Sequence, residues 1–380
     1  MMRLMFITGS LCYGGAERHA VTLMNRLGER GFECHAVHVK SGADLVDRIR
    51  VQNGSSVRSL DAGSYFDRGA FDRLARHIAR IEPDLIVAAN SYALMYASLA
   101  LKLARRRAPV VVTFHSNRLL DWKEHVQMLA YRPLFWTANC AIFVCERQKR
   151  YWLRRGVLSR RNEVIYNGVN MLEFNAAGSG AAARAALGMR DSDYVIGLPA
   201  VLRREKNHVQ LVEAIAALRA QGIPARALMI GDGPMRAAVE ARARERGIEQ
   251  HVVISGFQHD VRPYVAACDV VTLCSFTEAF SLAAVEAMAM GKAVVHSDVG
   301  GAAEMIDPGC NGYLFPVGDT AALVASLAAL SDKSTSRAMG AHARAKAQAL
   351  FSEQTMVERY EKTLLGVCAT RPGASPRIAG

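Results

Sequence analysis

The sequence contains no long apolar run, which argues against a protein built around membrane-spanning helices. The best run, YALMYASLAL, ends at Lys102, whereas a spanning helix needs roughly 18 or more predominantly apolar residues. The opening MMRLMFITGS is too short for the apolar region of a secretory signal and predicts a first strand instead. We therefore expect a cytoplasmic protein.

Cysteine occurs at eight positions, but no Cys-x-x-Cys pair is present. The closest two, Cys140 and Cys145, have no histidine beside them at the spacing of a zinc site. A chain of 380 residues also has no need of a disulfide framework. We expect reduced thiols, several of them buried, and no metal bound through cysteine.

Acidic residues are scarce in one part of the chain only. Residues 1–175 contain 26 Lys+Arg against 15 Asp+Glu, a surplus of 11, while residues 176–380 contain 21 against 20. Segment 101–161 accounts for the surplus, with 14 basic and 3 acidic residues. Such a basic surface suggests an anionic partner, either phospholipid, polyprenyl phosphate or nucleic acid, although a merely solvated surface is an equal alternative.

Strand-like and helix-like segments alternate along the chain, and the alternation restarts in the second half. Apolar runs such as RLMFIT and PVVVTF are followed by helical patterns, for example at 16–30 and 68–81; YVIGLP, RALMIG, HVVISG, DVVTLC and AVVHS repeat the arrangement. Strands of this kind are covered on both faces. The pattern predicts an α/β fold with two doubly wound, Rossmann-like domains, which we expect to face a central cleft.

Changes in composition suggest where these domains begin and end. A stretch of small residues, AAGSGAAA, predicts a linker between the halves, and TRPGASPRIAG predicts a disordered tail. The expected parts are an N-terminal Rossmann-like domain at 1–172, a linker at 173–190, a C-terminal Rossmann-like domain at 191–350, a helix at 351–369 packing back towards the N-terminal domain, and the tail at 370–380.

Glycine-rich turns follow two of the predicted strands. In ITGSLCYGGAERHAV, Gly14 and Gly15 stand where a helix begins, and its N–H groups favour anions. The turn lacks the Lys-Ser/Thr of a P-loop, so it is not one, and it lacks the spacing of GxGxxG, so a nicotinamide-dinucleotide interpretation is weak. LMIGDGP repeats the turn with Gly231 and Gly233. Taken alone, these glycines are equally compatible with ordinary tight turns.

A cluster of cations follows the strand YVIGLP. In AVLRREKNH, Arg203, Arg204 and Lys206 precede a predicted helix. A diphosphate at this position would meet positive charges beside helix N–H donors. A solvated basic turn is the simpler alternative for this segment taken alone.

Two carboxylates lie eight positions apart in the unusually apolar segment FTEAFSLAAVEAMAMGK. Glu278 is predicted in the loop after a strand, and Ser281 is a suitable cap for a helix beginning at Leu282. Glu286, about one turn into that helix, needs hydrogen-bond donors, which the vicinal hydroxyls of a ribose supply. The segment therefore predicts a nucleotide site.

Together these segments resemble the retaining glycosyltransferases of family 4, which have the GT-B architecture of two Rossmann-like domains. The resemblance rests on the Glu278-x7-Glu286 pair and on YGGAER, YNGVN, REKNH and GDGP, and it extends over about residues 1–365. Four catalytic residues follow from it: Lys206 and Arg203 would neutralise the donor diphosphate, Glu278 would bind hydroxyls of the donor sugar, and His115, otherwise a structural histidine, would line the reaction centre.

The resemblance also implies a donor-binding set. Glu286 would hold the ribose. The other members, besides Arg203 and Lys206, are Gly14, Gly15, Gly231, Gly233, Phe257, Ala279, Phe280, Ser281 and Leu282.

Two positions depart from the family pattern. Val201 stands where many members have an arginine, so we expect Arg203 to substitute, and whether Arg203 or Arg204 meets the diphosphate stays open. Ala279 stands where glycine is common, and its methyl group should tighten the loop without removing an N–H donor.

The implied enzyme moves a sugar from a UDP- or GDP-sugar to a hydroxyl of a glycan or lipid-linked acceptor, in bacterial surface polysaccharide, exopolysaccharide or lipopolysaccharide synthesis. Fixed cations and N–H dipoles can stabilise the leaving diphosphate without metal. The Asp-x-Asp sequence at 191–193 precedes a strand, away from any suitable place for a metal. We therefore predict transfer with retention, without metal or other cofactor.

The acceptor is expected to be bound by the basic half. Segment 101–161 interleaves its cations with aromatic residues, and LLDWKEHVQMLAYRPLFW is a candidate helix with an apolar face. This predicts a polyprenyl-linked or glycan acceptor and peripheral attachment to the anionic inner face of the cytoplasmic membrane.

Other interpretations remain open. A sugar-nucleotide epimerase or hydrolase with the GT-B fold, or a glycosyltransferase with a small soluble acceptor, would share much of this pattern. A nucleic-acid-binding protein is disfavoured, because the cations lie in one domain without any recognised nucleic-acid motif. We predict no nucleic-acid partner.

Overall fold

The structure is a computed structural model that describes residues 1–12, 14–116, 122–175 and 180–369. The predicted tail at 370–380 lies outside these ranges, as do four residues of the predicted linker. The chain forms two compact units, one of Met1–Tyr166 with Met356–Gly380 and the other of Asn167–Thr355.

The first unit is built on a parallel sheet. Its strands are β1 (Arg3–Thr8), β2 (Glu33–His38), β3 (Ser56–Ser59), β4 (Leu85–Ala89), β5 (Val110–Phe114), β6 (Cys140–Phe143) and β7 (Arg161–Val164). The helices between them are α1 (Gly15–Glu29), α2 (Arg68–Ile81), α3 (Asn90–Leu103), α4 (Trp122–Thr137) and α5 (Glu146–Leu153). The strand order β3-β2-β1-β4-β5-β6-β7 reverses between β1 and β4, as in a doubly wound sheet.

The second unit repeats this arrangement. Its strands are β8 (Tyr194–Pro199), β9 (Ala225–Ile230), β10 (Val252–Ile254), β11 (Val270–Leu273), β12 (Ala293–Ser297) and β13 (Gly312–Phe315). Its helices are α6 (Ala181–Ala186), α7 (His208–Ala220), α8 (Arg236–Glu245), α9 (Arg262–Ala267), α10 (Leu282–Ala289), α11 (Ala302–Met305), α12 (Thr320–Ala329) and α13 (Lys333–Leu350). The parallel order β10-β9-β8-β11-β12-β13 reverses between β8 and β11, so the predicted fold class is confirmed.

A last helix, α14 (Glu353–Ala369), covers one face of the first sheet. It buries a stripe that includes Met356, Tyr360, Leu364 and Val367 against β1 and α1, the i, i+4 spacing of an amphipathic helix. The opposite face of the sheet is filled by edge-to-face rings, with Phe114 4.8 Å from Trp152 and 5.2 Å from Phe135 between ring centroids.

Residues 180–190, which the sequence predicts as part of a linker, pack against the rest of the second unit. Arg184 on α6 pairs with Asp269 at 2.8 Å and donates to the Ala267 carbonyl at 2.7 Å. A Cβ on Gly180 would lie 2.4 Å from the backbone of Ala266, so the chain approaches α9 closely here. Gly180 is therefore required by this close packing.

Strands β7 and β13 were missed by the sequence prediction. Their sequences, RNEV and GYLF, are half-exposed or short, and they lack the continuous apolar character of central parallel strands. Both lie at the ends of their sheets, where one side carries no partner strand. Within the described residues, no helix is both long enough and apolar enough to cross a membrane.

Candidate active site

In the second unit, the glycines of GDGP lie against the loop after β8. Gly231 and Gly233 have φ values of 149° and 157°, and a Cβ on them would lie 2.3 Å from the Ala200 oxygen and 2.6 Å from the Leu202 oxygen. The Leu202 N–H donates to the Asp232 carbonyl at 3.0 Å. These glycines are therefore required by close backbone contact, and α8 begins shortly after them, at Arg236.

The loops after β8 and β11 meet at an ion pair. The Lys206 ammonium donates to the Glu278 carboxylate, with both side chains only partly exposed, at 26% and 18%. The Phe276 N–H donates to the Glu205 carbonyl at 2.8 Å, which ties the two loops through their backbones as well. The arrangement holds one cation and one carboxylate side by side at the carboxyl ends of neighbouring strands.

The two arginines before Lys206 are exposed. Arg203 precedes a short 3-10 turn at Arg204–Lys206, and its N–H donates to the Val201 carbonyl at 2.7 Å. Val201, at the position where many family members have arginine, is also exposed. Both guanidinium groups are therefore free to approach an anion from solvent.

The second carboxylate lies on α10. The Ser281 hydroxyl accepts from the Ala284 N–H at 3.3 Å and caps this helix. Glu286 is only 7% exposed. Phe280 is buried, with its ring 5.5 Å from that of Phe351. The capped N-terminus of α10 thus lies directly after the loop that carries Glu278, where the positive end of the helix dipole favours an anion.

A glycine pair after β12, which sequence reasoning missed, supports the Glu278 loop. Gly300 has φ 50°, and a Cβ there would lie 2.1 Å from the Glu278 carbonyl oxygen and 2.4 Å from that of Ala279. The Gly301 N–H donates to the Ala279 carbonyl at 2.8 Å. The signal was present as a Gly-Gly pair two residues beyond the end of the strand AVVHS.

A buried histidine lies close to the ion pair. His296, on β12, is fully buried, and its Nδ1–H donates to the Ser297 carbonyl at 2.7 Å. Burial lowers its pKa, while the nearby Glu278 carboxylate raises it and the Lys206 ammonium lowers it. Within the described part of the chain its Nε2 has no hydrogen-bond partner. Sequence reasoning missed this residue because it reads as part of an apolar strand.

Phe257 lies after β10, next to Gly256, which contacts the GDGP turn. Gly256 and Gly231 form an isolated antiparallel bridge. The Phe257 side chain is 63% exposed, with its ring 5.0 Å from that of His259 at 84°. An exposed ring at this edge of the sheet is available to a ligand.

In the first unit, Gly14 and Gly15 lie at the N-terminus of α1, as predicted, and Tyr13 is outside the described residues. A Cβ on Gly14 would lie 2.3 Å from the Glu17 carboxylate. Burial raises the pKa of Glu17. The Glu17 carboxylate therefore lies at the N-terminus of α1. An anion bound there would compete with it for the N–H groups of the helix.

His115 lies directly after β5 at the same edge of the first sheet. Its backbone N–H donates to Asn90 Oδ1 at 2.8 Å, and its ring centroid is 4.8 Å from that of His19. His19 Nε2 is 3.1 Å from the Tyr360 hydroxyl. Burial lowers the pKa of His115 to about 4; burial and repulsion from His115 lower that of His19. Both rings are thus neutral at pH 7, and His19 and Tyr360 are contacts that sequence reasoning missed.

The predicted residues therefore gather at one edge of each sheet. Arg203, Lys206, the loop 278–282 and the glycines of GDGP lie at the edge of the second sheet, while Gly14, Gly15 and His115 lie at that of the first. No group of three or more His, Cys, Asp or Glu side chains able to hold a metal occurs among the described residues.

Two family models match the chain in succession. A model of Glycosyltransferase Family 4 matches residues 13–171, and a model of Glycosyl transferases group 1 matches residues 181–346. Both models describe glycosyltransferases, and the two doubly wound units are those of the GT-B fold. The chain therefore belongs to the GT-B glycosyltransferases and is a transferase enzyme.

Individual relatives agree with this assignment. EpsD of Bacillus subtilis, which carries a glycosyltransferase name, is 28% identical over 300 residues, 76% of this chain and 78% of EpsD. LpsE of Rhizobium meliloti, a lipopolysaccharide core biosynthesis glycosyltransferase, is 26% identical over 362 residues, 92% of this chain and 96% of LpsE. The crystal structure of HepE from Anabaena has the same fold, with a TM-score of 0.83 and 24% identity, covering 96% of this chain and all of HepE.

Proposed function

We propose that this glycosyltransferase moves a sugar, with retention, from a UDP- or GDP-sugar to a hydroxyl of a glycan or lipid-linked acceptor in bacterial surface polysaccharide synthesis. The observation that carries the proposal is the Lys206–Glu278 ion pair at the strand edge of the second unit, with Glu278 eight residues before the buried Glu286. The Lys206 cation, the partly exposed Glu278 carboxylate and the buried Glu286 carboxylate match the diphosphate, the sugar and the ribose of one donor.

The ion pair explains how the donor is bound without leaving a charge unsatisfied. A partly exposed pair contributes little stability, because solvent screens its attraction. A donor diphosphate carries more negative charge than one carboxylate and competes for Lys206. Glu278 is then released to accept hydrogen bonds from sugar hydroxyls. Both Lys206 and Glu278 therefore have a partner before and after the donor binds.

The same groups supply the electrostatics of the reaction. As the bond between sugar and diphosphate breaks, negative charge grows on the phosphate oxygens, where the Lys206 ammonium and the N–H groups of α10 are aimed. Arg203 is the second cation in this proposal. Transfer then needs no metal or other cofactor: the acceptor hydroxyl attacks on the face that the diphosphate leaves and gives its proton to the departing diphosphate.

The relatives support the substrate classes. HepE has been crystallised with UDP and glucose and with UDP-glucose, and LpsE acts in lipopolysaccharide core biosynthesis. A UDP-sugar donor and a glycan acceptor are therefore the first to test. An anomeric proton spectrum of the product tests retention, and product release without acceptor would favour an epimerase or hydrolase instead.

We expect Glu286→Gln to weaken nucleoside diphosphate binding by about 10- to 100-fold, because hydrogen bonds to a charged acceptor contribute about 1.5–3 kcal/mol. The measurement is the thermal shift of each protein with UDP, GDP and ADP and their sugars. Among these, one nucleotide should stabilise the wild type by about 2.7 kcal/mol at 100 times its Kd.

The control for this variant is the same nucleotide without ribose hydroxyls. Its 2′,3′-dideoxy form should bind both proteins equally, since the lost hydrogen bonds are then absent in both. If Glu286→Gln binds the intact nucleotide as the wild type does, the ribose role is wrong. If no nucleotide shifts the wild type, the proposed function itself fails.

An apolar stripe on α4 supports attachment to a membrane. Trp122, Val126, Leu129 and Trp136 are 71%, 56%, 51% and 54% exposed, and their spacing of 4, 3 and 7 positions places them on one helix face. The Trp136 indole donates to the Gly156 carbonyl at 2.9 Å. The same unit has exposed cations at Lys123, beside Trp122 in sequence, and at Arg154 and Arg160, on either side of the Gly156 that binds Trp136. Aromatic residues beside cations suit an anionic lipid surface.

We expect the wild type to sediment with phosphatidylglycerol vesicles at low salt and to release them at high salt, where charges are screened. The double variant Trp122→Ala, Trp136→Ala should lose at least tenfold in affinity, while Leu350→Ala, which removes an exposed leucine from the second unit, should bind normally. Absence of vesicle binding by the wild type at low salt would contradict the membrane proposal and favour a soluble acceptor.

A further inference from the structure

The first unit displays an aromatic surface that the proposed donor chemistry does not use. We define the aromatic platform as Tyr65, Phe66 and Tyr92. The Tyr65 ring lies 4.7 Å from that of Tyr92 and 5.2 Å from that of Phe66. Phe66 is 65% exposed and Tyr65 38% exposed. Exposed rings in contact with one another form an apolar patch that a partner can cover.

The loop that presents these rings is held by its own hydrogen bonds. The Asp67 carboxylate accepts hydrogen bonds from the Gly63 N–H and from the Ala70 N–H, both at 2.9 Å. The first bond holds the loop in place, and the second caps α2. The Ser64 hydroxyl donates to the Phe66 carbonyl at 3.1 Å. A loop fixed in this way loses little conformational entropy when a ligand binds its rings.

Hydrogen-bonding groups surround the platform. The Gln127 amide donates to the Tyr65 hydroxyl at 2.9 Å, and that hydroxyl also contacts the Tyr131 hydroxyl. The Lys40 ammonium is exposed and lies 5.7 Å from the centre of the Tyr92 ring. Flat apolar rings with donors and acceptors around them match a pyranose, which has C–H groups on its faces and hydroxyls around its rim. An acyl chain would gain nothing from the polar groups.

The platform adjoins the proposed reaction centre within the first unit. Tyr92 lies over the end of β1, since a Cβ on Gly9 would be 3.5 Å from its ring. Asn90, two residues before Tyr92, accepts the backbone N–H of His115. A sugar on the platform is therefore bound at the same sheet edge that carries His115.

We propose that the aromatic platform is a subsite for a sugar of the acceptor glycan, with one pyranose face stacked on Tyr65 and Phe66 and its hydroxyls directed to Gln127 and Lys40. This inference rests on the proposed function, because it assigns the acceptor of that reaction. It goes further in naming a carbohydrate, and not the lipid of a carrier, as the group that this surface recognises.

The test uses saturation-transfer NMR with methyl α- and β-hexopyranosides and with octyl β-glucopyranoside below its micelle concentration. The wild type should transfer saturation most strongly to ring C–H protons, and Phe66→Ala should lose most of this signal. Leu103→Ala, which removes an exposed leucine of α3, should keep it. Transfer only to the octyl chain, or a signal unchanged in Phe66→Ala, would overturn the proposal.

A second measurement separates this inference from the proposed function. Phe66→Ala should give the same thermal shift with nucleotide sugar as the wild type. With a glycan acceptor its KM for acceptor should rise at least tenfold. A normal acceptor KM in an active Phe66→Ala enzyme overturns the platform alone, whereas loss of donor binding in the wild type overturns the proposed function.

Discussion

Lys206→Ala is expected to lower kcat by about 100- to 1,000-fold, the usual cost of removing one group that stabilises developing charge in a transition state. The ammonium is held at the end of β8 by the turn that contains it and pairs with Glu278. Its removal leaves the growing charge of the diphosphate to Arg203 and the α10 N–H groups alone. Initial rates with donor and acceptor at saturation measure the effect.

The fold should survive this change, because the pair is partly exposed and contributes little stability. Lys206→Arg is the matched control, since it keeps the positive charge but alters its position, and it should retain more activity than alanine does. Near-normal turnover in Lys206→Ala would show that the phosphate assignment is wrong. If EDTA abolishes wild-type activity and Mg²⁺ restores it, a metal supplies the charge instead.

Gly300→Ala is expected to displace the Glu278 loop, although the two residues are far apart in the sequence. Its new Cβ would lie 2.1 Å from the Glu278 carbonyl oxygen and 2.4 Å from that of Ala279. These are backbone atoms that cannot rotate away, so the loop must move and Glu278 with it. We expect donor affinity to fall by more than tenfold and the unfolding free energy to fall by about 2–4 kcal/mol, combining overpacking with backbone strain.

Gly309→Ala separates these two causes. Gly309 also has a positive φ, 78°, but a Cβ there meets nothing within 4 Å. Its substitution should cost only the strain of the left-handed conformation, about 1 kcal/mol, and should leave donor affinity unchanged. Equal stability and equal donor affinity in the two variants, measured by thermal unfolding and nucleotide titration, would refute the buttressing role of Gly300.

The central strands and most helices were predictable because their pattern is local. RLMFIT and YVIGLP are buried on both faces and so are apolar throughout, and Ser281 stands where its hydroxyl caps the helix that follows. The end strands β7 and β13 were missed because each has an unpaired side and is partly exposed, so its residues do not form a continuous apolar run.

Contacts between residues far apart in the sequence could not be predicted from local patterns. Nothing local indicates that His19 would lie against His115 and Tyr360, which are 96 and 341 positions away. The support of Gly300 beneath Glu278 is similar, because a Gly-Gly pair after a strand indicates a turn but not which backbone it will touch.

By itself, the sequence determined the two α/β halves, their glycine turns and the chemical types at the strand ends, because secondary structure and capping follow from neighbouring residues. Only the tertiary structure decided that Lys206 pairs with Glu278, that Gly300 must lack a side chain and that Tyr65, Phe66 and Tyr92 share one surface. Parallel strands bring loops together from distant parts of the chain, and the register of each sheet decides which side chains meet.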